Sequence, residues 1–141
     1  MWLDNVSNSE FLTQLFNEVP ELVGVEINSF AVKYYNNSIR IIINLPRYVD
    51  NIPLKWKMNN YNALTIELDF WAINSFHMTI DDKKISNIEI NKVDDKTIRV
   101  IISGGINADF TSEYIYIQKV YGYTKGKEES GVRQNEITDL L

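Results

Sequence analysis

Apolar residues near the start of the chain fall at the three- and four-residue spacing of an amphipathic helix. Ser7, with Glu10 three residues later, has the pattern of a capping box that would begin this helix. Pro20 ends the pattern, because proline cannot donate a backbone hydrogen bond inside a helix. We therefore expect one N-terminal helix that buries four apolar side chains against a larger element: Phe11, Leu12, Leu15 and Phe16.

After Pro20 the period changes to the alternation that is typical of half-buried β-strands. A phase slip near Ser29 predicts a β-bulge, and Asn36-Asn37 predicts a hairpin turn, because asparagine tolerates positive φ. The strand-like segments are residues 23–34, 39–45, 64–71, 76–80, 85–90, 98–102 and 112–123. The predicted fold class is α+β and mainly β, an antiparallel meander of about seven strands with one N-terminal helix packed on it.

The alternation of apolar and polar residues is interrupted in the middle of the chain and is absent near its end. Residues 46–60 contain prolines and asparagines that predict a long loop, and such loops often carry function. After Lys125 the chain is polar and aperiodic. We expect residues 1–125 to form a single globular domain and residues 126–141 to form a mobile polar C-terminal tail.

Charge and composition exclude several classes of function. With 14 basic and 19 acidic residues the formal net charge is −5, and no cluster of lysine and arginine offers a nucleic-acid face. The acidic surplus fits either solubility or a surface that meets a basic partner. The chain has no cysteine, no signal-peptide pattern and no apolar run near the roughly 20 residues that cross a bilayer. We expect a cytoplasmic protein with no nucleic-acid or membrane partner.

Few residues are candidates for catalysis. His77 is the only histidine, and no nucleophile motif or glycine-rich phosphate loop accompanies it. Glu67 and Asp69 lie two positions apart on one predicted strand and therefore share a face. Such a pair can act on a glycoside, bind a hard cation or simply face solvent. We expect no enzyme activity, no metal and no cofactor.

Trp71 has the same parity as the two carboxylates, so Glu67, Asp69 and Trp71 should emerge on one face of the strand. A tryptophan beside acids is typical of a binding hot spot, although Trp71 can equally lie under the helix or the 46–60 loop. Residues 61–97 carry seven acids against four lysines, which favours a basic partner. We expect this face to bind a partner protein, because the opposite face is already occupied by core residues: Leu64, Ile66, Leu68 and Phe70.

Three stretches of the chain together carry a resemblance to a known family. They are Phe11-Leu12-x-x-Leu15-Phe16-x-x-x-Pro20-x-Leu22, Pro53-Leu54-Lys55-Trp56 and Asn62-Ala63-Leu64-Thr65-Ile66-x-Leu68-x-Phe70. The combination resembles immunity protein family fifty of bacterial polymorphic toxin systems. The resemblance covers roughly residues 2–103.

The resemblance implies a small cytosolic antitoxin that binds a cognate toxin domain and blocks it. The motif residues have a spacing suited to pinning a loop onto the sheet, and direct contact with the toxin is the alternative. We expect the structural role for the five residues of the family motif: Pro20, Pro53, Lys55, Trp56 and Asn62.

Two other functions remain open from the sequence. The first is a small β-barrel-like ligand-binding protein, in which the apolar alternation lines a cavity. The second is an enzyme that uses Glu67 and Asp69 in a cleft. A filled interior favours the immunity protein, whereas an open cavity favours the ligand binder.

Overall fold

Two four-stranded antiparallel sheets stack face to face in the computed structural model, which describes residues 1–126. The strands are β1 (Glu26–Lys33), β2 (Ser38–Asn44), β3 (Ala63–Trp71), β4 (Asn74–Ile80), β5 (Ser86–Lys92), β6 (Ile98–Gly104), β7 (Ile106–Ser112) and β8 (Tyr114–Tyr123). Sheet A has the order β1-β2-β3-β8, and sheet B has the order β4-β7-β6-β5. The mainly β class is confirmed, with eight strands in two layers where the sequence suggested about seven in one meander.

The strand that sequence analysis missed is β7. Its alternation was present but weak, since Ala108 and Phe110 face the core while Asn107 and Asp109 face outward. The chain leaves sheet A after Trp71 and returns to it at β8.

Hydrogen bonds to the Trp71 backbone join the two places where the chain passes from one sheet to the other. Its carbonyl oxygen accepts hydrogen bonds from the Ser112 hydroxyl at 2.7 Å and from the Glu113 amide at 3.1 Å. The two crossings between the sheets are therefore joined to each other, and the backbone around Trp71 is held in place.

The core lies between the two sheets, where the sequence suggested a core between one sheet and the helix. Phe70 of sheet A meets Phe110 of sheet B edge to face, with 5.4 Å between ring centroids. One hydrophobic cluster contains residues of both sheets and of the N-terminal segment. The predicted core face of β3 is confirmed, since all four of its side chains are fully buried: Leu64, Ile66, Leu68 and Phe70.

The N-terminal helix α1 (Glu10–Leu15) is shorter than the pattern suggested. Phe16 lies beyond its end in extended backbone and is buried, but Phe11 is exposed, so its predicted burial is wrong. The capping box is also wrong, because the residue that caps the helix is Ser9, without a side-chain bond. Ser7 instead pairs with β8.

The segment before α1 covers the free edge of β8. The Ser7 amide donates to the Ile115 carbonyl at 2.9 Å, and the Ile117 amide donates to the Ser7 carbonyl at 3.0 Å, which forms a parallel bridge. The Asn8 side chain adds a bond to the Ile117 carbonyl at 2.7 Å. Sheet A is thus extended by a short piece of a fifth strand.

The loop at 46–60 contains a short helix, α2 (Leu54–Met58), that the sequence analysis did not predict. Its Trp56 ring is buried and meets Phe11 at 5.8 Å between centroids. On the other side Trp56 covers Gly122 of β8, where an added Cβ would come within 2.9 Å of the indole. These contacts fit the expected role of the motif, which is to fasten the loop to the sheet.

Other motif residues also make backbone contacts. The Asn62 side chain forms two hydrogen bonds with the Lys125 backbone. It donates to the carbonyl at 2.8 Å and accepts from the amide at 2.7 Å. Pro53 precedes α2 and its carbonyl accepts from the Lys57 amide at 3.0 Å. The Pro20 carbonyl accepts from the Trp2 indole at 3.0 Å.

The limits of the domain remain a prediction. The expected C-terminal tail, residues 126–141, lies outside the described residues except for Gly126. Within residues 1–126 no helix is long and apolar enough to cross a membrane.

Candidate functional site

The outer face of sheet A gathers aromatic and charged side chains from three neighbouring strands. Directly opposite residues of an antiparallel pair project to the same side of a sheet. Arg40 of β2 lies opposite Asp69 of β3, and Trp71 lies opposite Tyr114 of β8. We call this surface the A face and define it by eight residues: Arg40, Glu67, Asp69, Trp71, Tyr114, Tyr116, Lys119 and Tyr121.

An arginine–carboxylate cluster forms the floor of the A face. Arg40 donates to both carboxylate oxygens of Asp69, from Nε at 2.7 Å and from Nη2 at 2.9 Å. Its Nη1 lies 3.8 Å from Oε1 of Glu67. The hydrogen bond to Asp69, with the charges of Asp69 and Glu67, raises the pKa of Arg40 above its ordinary value. The guanidinium is therefore a fixed positive charge held by two acids.

The structure corrects one part of the predicted binding site. Glu67, Asp69 and Trp71 do share a face, but the carboxyl residues are only 8% and 4% exposed, so their expected exposure is wrong. The reason is that β3 is an inner strand, flanked by β2 and β8, whose long side chains reach over it. Trp71 is 36% exposed, as predicted. Whether these three residues bind a partner stays a prediction.

Tyrosines of β8 form the aromatic wall of the A face. Tyr114 and Tyr116 stack with 6.2 Å between ring centroids and 25° between planes. Tyr121 is half-buried, and burial together with the charge of Glu67 raises its pKa above that of a free tyrosine. Its phenol therefore keeps its proton at physiological pH.

A second aromatic feature lies at the tip of the β1–β2 hairpin. Tyr34 and Tyr35 are 96% and 84% exposed, and Tyr35 is close enough for its phenol to influence the pKa of Arg40. Asn37 has φ of 53°, and its amide bonds the Tyr34 carbonyl at 3.2 Å, which closes the turn that Asn36-Asn37 predicted. The sequence signal for this tip is the tyrosine pair immediately before the predicted turn.

A comparison with protein families identifies the chain. A family model described as Immunity protein 50 matches residues 8–123. The chain belongs to this family. The match extends beyond the stretch at 2–103 that carried the resemblance and includes β8, so it contains every strand of the A face. No curated protein and no solved structure matches the chain.

Immunity protein families are in general non-enzymatic, and His77 lies on the other sheet from the Glu67–Asp69 pair. His77 is exposed on the outside of sheet B, opposite Asp109. Within residues 1–126 no three acids or histidines are grouped so that they could hold a metal ion. The Glu67–Asp69 pair, which could have served an enzyme, is instead engaged by Arg40.

The ligand-binding alternative needs an internal cavity. The space between the sheets is filled by fully buried aromatic and aliphatic side chains of β2, β3, β6, β7 and β8. An open groove of about 890 Å³ lies beside the N-terminus, lined by Leu3, Asp4, Glu18 and Arg47 among others. It lies on the surface, so the packing of the sandwich favours a binding module.

Proposed function

We propose that the protein is a bacterial antitoxin that binds a cognate toxin domain and blocks it by contact, without catalysis. Membership of the immunity protein 50 family is the observation that carries this proposal. The encounter would take place in the bacterial cytoplasm. The filled interior and the scattered titratable residues add support, because they leave surface contact as the available mode of action.

We propose the A face as the toxin-binding surface. Tryptophan, tyrosine and arginine dominate the energetics of protein interfaces, since they bury a large area with few rotatable bonds. On the A face, Trp71 and Tyr114 are exposed beside Arg40, whose guanidinium is already oriented by Asp69. A partner therefore meets side chains that lose little freedom on binding.

Within this surface the three predicted residues take different roles. Trp71 is the exposed anchor, fixed at the crossing between the sheets by the bonds to its carbonyl. Asp69 is recessed and holds Arg40, while Glu67 contributes a negative charge to the floor. The toxin would be basic, drawn by the net charge of −5 of the whole chain more than by these two acids.

The test uses the toxin domain encoded beside this gene, purified in an inactive form. We expect the wild-type protein to form a complex with it and to rescue cells that express the active toxin. Trp71→Ala should weaken the complex by about 2 kcal/mol or more, seen as faster dissociation in surface plasmon resonance. His77→Ala, on the outside of sheet B, is the control and should bind as wild type does.

Two results would count against the proposal. Absence of both complex formation and rescue would remove the antitoxin function. Rescue by Trp71→Ala at wild-type affinity would move the interface away from the A face while leaving the function in place.

A further inference from the structure

Glu67 is an unusual carboxylate for its position. It is 8% exposed, yet within residues 1–126 its carboxylate takes part in no hydrogen bond. Its one ion pair there is the 3.8 Å contact with Nη1 of Arg40. No side-chain oxygen of the described residues is both buried and without a partner, so the Glu67 carboxylate still touches solvent at the surface of the A face. Glu67 therefore keeps acceptor capacity that the rest of the described chain does not use.

The neighbouring charges leave Glu67 with an unbalanced negative charge. Arg40 directs Nε and Nη2 to Asp69 and has only Nη1 facing Glu67. Two carboxylates thus share one guanidinium, and the guanidinium favours Asp69. Lys119 lies directly opposite Glu67 on β8, is exposed, and forms no ion pair with it in the described part of the chain.

Aromatic rings stand on both sides of this charge along β8. Tyr116 lies opposite Asp69 and Tyr121 lies opposite Thr65, so the two tyrosines flank the position of Glu67 on the A face. Tyr121 is close enough for Glu67 to raise its pKa. A carboxylate between neutral aromatic rings suits a cationic side chain, which gains a charge-assisted bond and contact with the rings.

We propose that Glu67 receives one cationic side chain of the toxin, an arginine in preference to a lysine, between Tyr116 and Tyr121. This inference rests on the proposed antitoxin function and names the chemistry of one contact within it. A guanidinium fits better than an ammonium, because it is planar, stacks on tyrosine and can bond both carboxylate oxygens. The incoming cation supplies the partner that Arg40 does not fully provide.

Lys119 provides a test in which the direction of the change in toxin affinity decides the outcome. As the cation opposite Glu67, it competes with the incoming side chain for the same carboxylate. Removing its charge with Lys119→Met should leave toxin affinity unchanged or raise it. If the toxin instead presented an acid to Arg40 and Lys119, the same substitution would lower the affinity.

The first experiment measures binding of the purified toxin domain at low and moderate salt. Glu67→Gln keeps the size of the side chain and removes its charge, and we expect it to lower the affinity about tenfold or more, chiefly through faster dissociation. Glu89→Gln, on the exposed outer side of β5, changes the net charge equally and is the matched control. The inference is overturned if the two variants bind alike or if Lys119→Met weakens the complex.

A second experiment needs no toxin. Ethylguanidinium chloride is titrated into the wild-type protein, and the ring signals of Tyr116 and Tyr121 are followed by NMR against an equal concentration of sodium chloride. We expect saturable shifts that are specific to the guanidinium, weaker shifts with butylammonium, and their loss in Glu67→Gln. Absence of saturable shifts in the wild-type protein would overturn the cation site.

The two experiments separate the two proposals. Guanidinium binding without any toxin complex would remove the antitoxin function and keep a cation site at Glu67. A toxin complex that is indifferent to Glu67→Gln, with no guanidinium binding, would keep the function and remove the site.

Discussion

The outer faces of the two sheets each carry an arginine–aspartate pair of similar geometry in very different surroundings. The side chains of Arg40 and Asp69 on sheet A are 32% and 6% exposed, whereas the side chains of Arg99 and Asp109 on sheet B are 51% and 47% exposed. The shortest contact is 2.7 Å in both pairs, and both arginines donate two bonds. The two pairs therefore differ in their exposure to solvent and not in the geometry of their hydrogen bonds.

This contrast distinguishes an outer face that is partly covered by neighbouring side chains from one that is open to solvent. On sheet B the side chains of Arg99 and Asp109 are both about half exposed, so water screens the pair. Around Arg40 the side chains of β8 reduce the access of water, so charge interactions there are stronger and the loss of a partner costs more. A strand face that meets only solvent does not need such a cover, and this supports our proposal that the partner binds sheet A.

The largest expected effect is on stability when each arginine is removed. Arg40→Ala leaves Asp69 and Glu67 nearly buried without their cation, and should lower the free energy of unfolding by about 3 kcal/mol or more. Arg99→Ala leaves a carboxylate that water already solvates, so the loss of stability should be far smaller. Urea denaturation at pH 7 measures both. Equal losses would show that the two faces do not differ in the way that we describe.

The second effect is the coupling within each pair and its response to salt. A double-mutant cycle on Arg40 and Asp69 should give about 1.5–3 kcal/mol, and a cycle on the exposed pair Arg99 and Asp109 should give a much smaller coupling. Raising the sodium chloride concentration to about 1 M should remove most of the coupling on sheet B and little on sheet A. A sheet A coupling that disappears in salt would mean that water reaches the pair.

The third effect is smaller and concerns only sheet B. The hydrogen bond from Arg99, with the charges of Arg99 and His77, lowers the pKa of Asp109 below its ordinary 3.8. A lowered pKa contributes stability above the unfolded value that is lost as pH falls through the folded one. Arg99→Ala should return the pKa of Asp109 towards 3.8, measured by NMR of the carboxyl carbon. His77→Ala should move it much less.

The smallest effect tests the proximity of Glu67 to the tyrosine wall. Burial is the first cause of the raised pKa of Tyr121, and the charge of Glu67 is the second. Glu67→Gln should therefore lower the pKa of Tyr121 only in part, and it should stay above the ordinary 10.0. An NMR titration of the phenolic carbon measures this. Glu89→Gln provides the control and should leave the titration of Tyr121 in place.

The sequence predicted the features that depend only on residues close together along the chain. Alternation in β3 identified its core face and the shared parity of Glu67, Asp69 and Trp71, because parity is a local property of a strand. It could not predict that two of these residues are covered, because Arg40 comes from 29 residues earlier. Strand order decided their exposure, and strand order is not local.

The early end of α1 has a similar cause. The apolar spacing predicted helix as far as Phe16 and beyond, but the carbonyl of Leu15 accepts from the Asn51 amide at 2.9 Å. The Asn17 amide donates to the Asp50 carboxylate at 3.0 Å. Contacts with the 46–60 loop thus replace the next helical turn, and these contacts are invisible in a periodic pattern.

The bridge at Ser7 has a consequence for the protein in the crowded cell. Without it β8, the longest strand in the described chain, would present a row of free amides and carbonyls at the border of sheet A. Such borders recruit strands from other molecules and begin aggregation. Ser7 and Asn8 occupy that border around Ile115 and Ile117, where a foreign strand would otherwise pair. The Ser7–Asn8 segment therefore blocks strand pairing at the β8 edge of sheet A, and the outer face of that sheet is the surface that we propose for toxin binding.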